Sequence, residues 1–178
     1  MIVIVMGVSG AGKSTVGAML AAALGAAFID GDDAHPKANI DKMRRGAPLD
    51  DADRLPWLRD LAGRLDASRT AGGEGEDRTD VVLACSALKA RYRDVLTEGR
   101  MDVRIVHLTG EAAVLRRRVE ARTGHFMPAG LLASQLADLE APMEAIEVDA
   151  ALAPEEIVAA VLDALHDTGS RPGKDGKG

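Results

Sequence analysis

Residues 1–15 read MIVIVMGVSGAGKST, and the fold turns on how this stretch is understood. Ile2–Met6 is an unbroken apolar run with no basic flank before it. Its length is too short for a membrane span or a signal segment and suits a strand buried on both faces. GVSGAGKS follows at Gly7–Ser14 and fits G-x-x-x-x-G-K-[ST]; the alanine-rich stretch Lys13–Leu24 then reads as a helix. Strand, glycine loop and helix in that order give the motif its physical meaning. Glycines let the backbone turn so that several N–H groups converge on one anion, and the helix N-terminus adds partial positive charge. Lys13 supplies a full charge for the β- and γ-phosphates of ATP, and the Ser14 hydroxyl can ligate Mg²⁺. The expected nucleotide contacts are therefore Gly7, Ser9, Gly10, Ala11, Gly12, Lys13, Ser14 and Thr15. Gly7, Gly10 and Gly12 do not give the G-x-G-x-x-G spacing, which disfavours NAD.

Working outward, apolar runs alternate with amphipathic stretches. Further strands are expected at 27–30, 81–85, 103–108 and 145–148. Helices are expected at 37–45, across Leu55, Leu58, Leu61 and Leu65 (with Pro56 in the first turn), over ALKARYRDVLTEG to Gly99, at 111–122, at 129–139, and from Pro154 onward. The alternation predicts an α/β fold, and with the phosphate loop a three-layer α/β/α P-loop NTPase with a parallel sheet of about five strands; a helical lid at about 111–140 is expected from the charge pattern there. One domain is expected over 1–167, and 168–178, which lacks apolar residues, is expected to be a disordered tail.

The chain has 178 residues, 47% of them hydrophobic and 28% charged, as in an ordinary globular domain. A net charge of -6 disfavours nucleic acid as a partner. One cysteine, Cys85, excludes an intrachain disulfide and fits a reducing compartment. No run approaches a membrane span, so the expected location is cytoplasmic, without membrane partners.

The densest charge lies in IDGDDAHPKANIDKM, residues 29–43. Asp30, Asp32 and Asp33 fall just past the second strand, at the carboxyl end of the sheet where ligands collect, and should face the phosphate loop from a neighbouring strand end. The third strand ends LACSA, without a terminal Asp, so Asp30 is the substitute carboxylate for Mg²⁺. Asp32 can take a proton from an acceptor hydroxyl; Asp33 reads equally as a capping acid. A kinase must also exclude water, which calls for a mobile, positively charged cover. VLRRRVEARTGHFMP fits: Arg118 and Arg122, four apart, repel unless they share an anion, so both are read as ATP ligands, with Arg122 also catalytic.

Four blocks carry a resemblance: GVSGAGKST, DGDDAHPKANIDKMRRGAPLDDADRLPWL, ACSALKARYRDVL and GHFMPAGLLASQLADLEAP. In this order, over about residues 5–142, they resemble the gluconokinase family; PLDDADRLPWL and HFMP are not general kinase features. The resemblance implies a nucleoside-monophosphate- and shikimate-kinase-like fold. It also implies transfer of the ATP γ-phosphate to the 6-hydroxyl of D-gluconate, Mg²⁺ dependence, a closing lid and a homodimer. An open-chain sugar acid needs donors for its carboxylate and polar partners for its hydroxyls. Asp32, His35, Lys37, Arg54, Lys89, Arg93 and His125 are the candidates, and spacing does not choose which cation holds the carboxylate. Arg54 could instead pair with Asp50 or Asp51, and His35 could be a capping or core residue. Trp57 reads as packing, His107 as a core histidine and Cys85 as a small buried hydrophobe. The rival readings are a shikimate- or nucleotide-type kinase of the same fold, and a nucleotide-dependent module without catalysis.

Overall fold

The computed structural model describes residues 1–71, 79–121 and 131–169. Five strands, β1 (Ile2–Met6), β2 (Ala27–Asp30), β3 (Val81–Ala84), β4 (Val103–Thr109) and β5 (Ile146–Asp149), form one sheet in the order β2-β3-β1-β4-β5. Every pairing is parallel. The helices are α1 (Lys13–Leu24), α2 (Lys37–Arg44), α3 (Asp51–Thr70), α4 (Ala90–Thr97), α5 (Ala112–Glu120), α6 (Leu131–Asp138) and α7 (Pro154–Gly169). A single 3₁₀ turn, Asp32–Ala34, follows β2.

Strand β1 is central and buried throughout, and its side chains alternate between two cores. Val3 and Val5 pack with Val16, Leu20, Ile157 and Val161 under α1 and α7. Ile2, Ile4 and Met6 pack with Leu58, Leu61, Leu65 and Leu96 under α3 and α4. A parallel sheet covered on both faces needs such doubly apolar strands, because each crossover helix must land on one face or the other.

The structure corrects the expected elements in four places. Strand β3, not β2, lies beside β1 on this side, so the acids after β2 reach the phosphate loop past a strand end that carries none. Helix α3 begins a turn earlier than expected. Asp50 and Asp53 form a reciprocal capping box, which puts Pro56 inside the helix rather than in its first turn. The proline omits the bond its N–H would have given to the Ala52 carbonyl, a cost the buried Trp57, Leu58 and Leu61 offset. Residues 87–89 are not helical: Ala87 has φ 42°, the only non-glycine with positive φ among the described residues, and Lys89 is the N-cap of α4. Finally, α7 runs to Gly169, two residues into the expected tail; residues 170–178 lie outside the described residues.

Candidate active site

The loop between β1 and α1 has positive φ at Gly7 (145°), Gly10 (86°) and Gly12 (91°). At Gly10 a Cβ would stand 2.7 Å from the Leu115 carbonyl oxygen of α5, so close backbone approach as well as dihedral angle demands glycine. A Cβ on Gly12 would meet nothing within 4 Å, which marks open space inside the turn. The Lys13 ammonium donates to the Val8 carbonyl at 3.2 Å and so lies across the loop's mouth. The Ser9 N–H donates to Oε1 of Gln135, on α6, at 2.7 Å.

Two cavities flank this loop. One is walled by Thr15, Arg118, Ala150, Leu152, Pro154 and Ile157. Arg118 is anchored there by donating Nη1 to the Ala150 carbonyl at 2.5 Å. The apolar side chains of this wall and the adjacent guanidinium suit an aromatic base.

The other cavity brings together Ser9, Lys13, Asp32, His35, Arg54 and Trp57. The turn after β2 aims Asp32 into it. Gly31 donates its N–H to the Ala84 carbonyl at 2.8 Å and accepts from Trp57 Nε1 at 2.9 Å. A Cβ on Gly31 would lie 2.8 Å from that same Ala84 oxygen, so only glycine lets the turn rest on the end of β3. Asp30 Oδ1 accepts the Asp32 N–H at 3.0 Å and fixes the direction of the next residues. The His35 ring stacks on Trp57, with centroids 4.0 Å apart and planes inclined by 16°. His35 Nδ1 is buried with no hydrogen-bond partner among the described residues.

Burial pushes the His35 pKa down to about 4; Asp32 opposes the shift and Arg54 adds to it. The imidazole is therefore neutral near pH 7 and offers an acceptor nitrogen. An unfolded histidine protonates near 6.5 and the folded one near 4, so this burial favours folding fully above 6.5 and less as pH falls toward 4. The loss across that window is up to about 3 kcal/mol. Thermal melts from pH 7 to 4 should show a shallower decline for His35→Gln than for the wild type. Parallel declines would mean that His35 does not titrate this way.

Arg54, early in α3, is 8% exposed. Its Nε donates to the Leu49 carbonyl at 3.2 Å, and its guanidinium lies 5.4 Å from the Tyr92 ring centroid. Nη2 is 3.9 Å from Asp138 Oδ2, too far for a hydrogen bond. Among the described residues neither terminal nitrogen makes a hydrogen bond, although the side chain lines the cavity. Asp50 and Asp51 do not pair with it: Asp50 caps α3 and holds Lys42, while Asp51 accepts from Tyr92 Oη at 2.6 Å and pairs with Arg91 at 2.8 Å.

A phosphate loop, a carboxylate and a guanidinium whose terminal nitrogens make no hydrogen bond among the described residues line one cavity and raise the question of family. A family model described as an AAA domain matches residues 2–145. The thermosensitive gluconokinase of Escherichia coli (strain K12) is 48% identical over 139 residues, covering 78% of this chain and 71% of that protein. The crystal structure of a gluconokinase from Sinorhizobium meliloti 1021 superposes with a TM-score of 0.80 at 46% identity, over 93% of this chain and 91% of that one. The chain belongs to the gluconokinase family. Shikimate kinase from Aquifex aeolicus shares the fold at 19% identity, with a TM-score of 0.66 over 96% of this chain and 99% of that chain. The three-layer P-loop kinase architecture expected from the alternating pattern is thus the observed one.

The other residues that the gluconokinase resemblance nominated divide by where their side chains go. Lys37 is exposed and pairs with Asp41 at 2.9 Å, away from the cavity. Lys89 pairs with Asp138 at 2.9 Å, beside Arg54 but outside the cavity wall. Arg93 is buried, and its Nη1 donates to the carbonyls of Ala87 (3.1 Å) and Leu88 (3.0 Å). It braces the strained bend after β3 instead of facing the cavity. Arg122 and His125 lie outside the described residues. His107 is buried, with Nδ1 3.4 Å from Glu147 Oε1, and burial pushes the Cys85 thiol up to about 12; both are core groups, as expected. Trp57 packs, but it also forms a cavity wall behind His35. Sequence reasoning missed Gln135. A signal existed: Leu131, Leu132 and Gln135 share the buried face of α6, and a polar residue on an apolar stripe needs a partner.

Proposed function

We propose that the chain transfers the γ-phosphate of ATP to the 6-hydroxyl of D-gluconate, giving 6-phospho-D-gluconate and ADP. The observation that carries this reading is one cavity lined by Lys13, Asp32, His35 and Arg54 together. A sugar acid carries an alcohol for the carboxylate and a carboxylate for the guanidinium of that lining. In this reading Gly7–Thr15 cradle the triphosphate, with Lys13 on the β- and γ-phosphates. The base enters the cavity beside Arg118. Asp32 accepts the proton of the 6-hydroxyl, and neutral His35 accepts a hydrogen bond from a substrate hydroxyl. Arg54 grips the carboxylate with two parallel N–H bonds, a geometry guanidinium provides and ammonium does not.

The donor set fits Mg²⁺. The Ser14 hydroxyl is exposed at the start of α1, and Asp30 spends one oxygen on the Asp32 turn while the other is uncommitted in the hydrogen bonding described. Among the described residues no cluster of three or more His, Cys, Asp or Glu could hold an ion alone, which suits a cation that arrives hydrated on phosphates. When bound, Mg²⁺ offsets charge on the β- and γ-phosphoryl oxygens. Arg122 and the rest of the 111–140 lid supply further positive charge and exclude water, and His125 is a lid contact to substrate. The single domain, the homodimer and the cytoplasmic location belong to the same proposal; no helix among the described residues is long and apolar enough to cross a membrane.

ADP release measured with ATP and Mg²⁺ over gluconate, shikimate and nucleoside monophosphates tests the reading. Turnover confined to gluconate is expected. Preference for another acceptor, or ATP binding without turnover on any sugar acid, would overturn it.

A further inference from the structure

Two of the cations nominated for the acceptor, Arg54 and Lys89, converge on one carboxylate. Asp138, the last residue of α6, places Oδ1 at 2.9 Å from Lys89 Nζ and Oδ2 at 3.9 Å from Arg54 Nη2. Both cations lie over the Tyr92 ring, at 6.0 Å and 5.4 Å from its centroid. The corner is partly dry: the side chains of Arg54, Lys89 and Asp138 are 10%, 21% and 31% exposed. The third cation over that ring, Arg91, is committed to Asp51 at 2.8 Å. Asp138 in turn is what raises the Lys89 pKa most. Its contact with Arg54 is an ion pair without a hydrogen bond, which a closer carboxylate can displace.

We propose that Asp138 is a specificity-determining residue, whose carboxylate, held by Lys89, stands in for the acceptor's carboxylate on Arg54 so that only an anionic acceptor exchanges with it. This rests on the sugar-acid reading above. The physical basis is replacement of charge. An acceptor carboxylate in the cavity supplies Arg54 with an equal counter-ion while Asp138 stays on Lys89, so no cation is left bare. A neutral polyol can supply only dipoles, and it must separate a partly desolvated ion pair to approach Arg54, which costs it affinity. Selectivity then comes from a penalty on the wrong acceptor as well as from contacts with the right one.

Steady-state kinetics of Asp138→Asn and Asp138→Glu, with D-gluconate and with D-glucitol, its uncharged alcohol counterpart, test the idea. In Asp138→Asn the gluconate KM should fall about 3–10-fold while the ATP KM and kcat stay within about twofold, and phosphorylation of glucitol, absent in the wild type, should become measurable. Asp138→Glu keeps the charge and should show a gluconate KM at or above the wild-type value. An unchanged or raised gluconate KM in Asp138→Asn would overturn the proposal, because Asp138 would then merely hold the cations in place. A fall of equal size in Asp138→Glu would also overturn it, since charge would not be the cause. Should the Asn variant not fold, Asp138→Ser carries the same expectations. Wild-type turnover of gluconate is read separately: its absence would sink the sugar-acid reading, whereas the variant-to-wild-type ratio judges Asp138.

Discussion

Asp32→Asn should bind ATP normally and lose about 10²–10⁴ in kcat, the range for removing a positioned general base. The substitution is nearly isosteric. The turn that carries residue 32 is held by its backbone N–H on Asp30 and by Gly31 against Ala84 and Trp57, so the fold of the turn survives. Asparagine cannot accept the hydroxyl proton. The attacking oxygen then keeps its proton while the bond to phosphorus forms, and the barrier rises. The triphosphate contacts come from another element, the β1–α1 loop, so the ATP KM should stay within about twofold. Measuring kcat, both KM values and nucleotide affinity by titration calorimetry checks this. Turnover within a few-fold of the wild type would remove Asp32 from the role of base, and a large loss of ATP affinity would reassign it to the phosphate site.

The second large effect is expected at Arg54. Arg54→Met keeps the length and the packing on Tyr92 but removes the fork. A substrate carboxylate entering the cavity would be desolvated without a partner, a loss of about 2–5 kcal/mol. That corresponds to a fall in gluconate kcat/KM of about 30- to several-thousand-fold. Arg54→Lys should recover only part, because an ammonium offers charge without two parallel donors. The ATP KM should not move in either variant. A gluconate KM within twofold of the wild type in Arg54→Met would show that the carboxylate is held elsewhere, and a melting-temperature drop with unchanged KM would make Arg54 a packing residue.

These two residues differ in how legible they were. Asp32 could be placed from local rules: it lies two residues beyond a short strand, at the sheet end where a phosphate loop also opens. Arg54 was one of four equivalent cations. Nothing in the spacing of Lys37, Arg54, Lys89 and Arg93 tells which one lines the cavity, which one braces a strained backbone and which one points to water. Gln135 was legible only as a polar residue on an apolar helix face, and its partner, the Ser9 N–H, is 126 residues away in the chain. Pro56 was misplaced for a local reason: the Asp50–Asp53 capping box starts α3 a turn before the leucine pattern becomes visible.

The sequence by itself determined the alternating parallel architecture, the phosphate loop, most element boundaries and the family resemblance, because each follows from short-range periodicity, glycine dihedrals and residue order. Only the tertiary structure decided that β3 separates β2 from β1, that Arg93 holds Ala87, and that Arg54 faces the cavity with Asp138 loosely opposed. Those outcomes depend on which distant carbonyl or carboxylate reaches a charged group first. Burial sets that competition, and burial is a property of the packed chain rather than of any stretch of it.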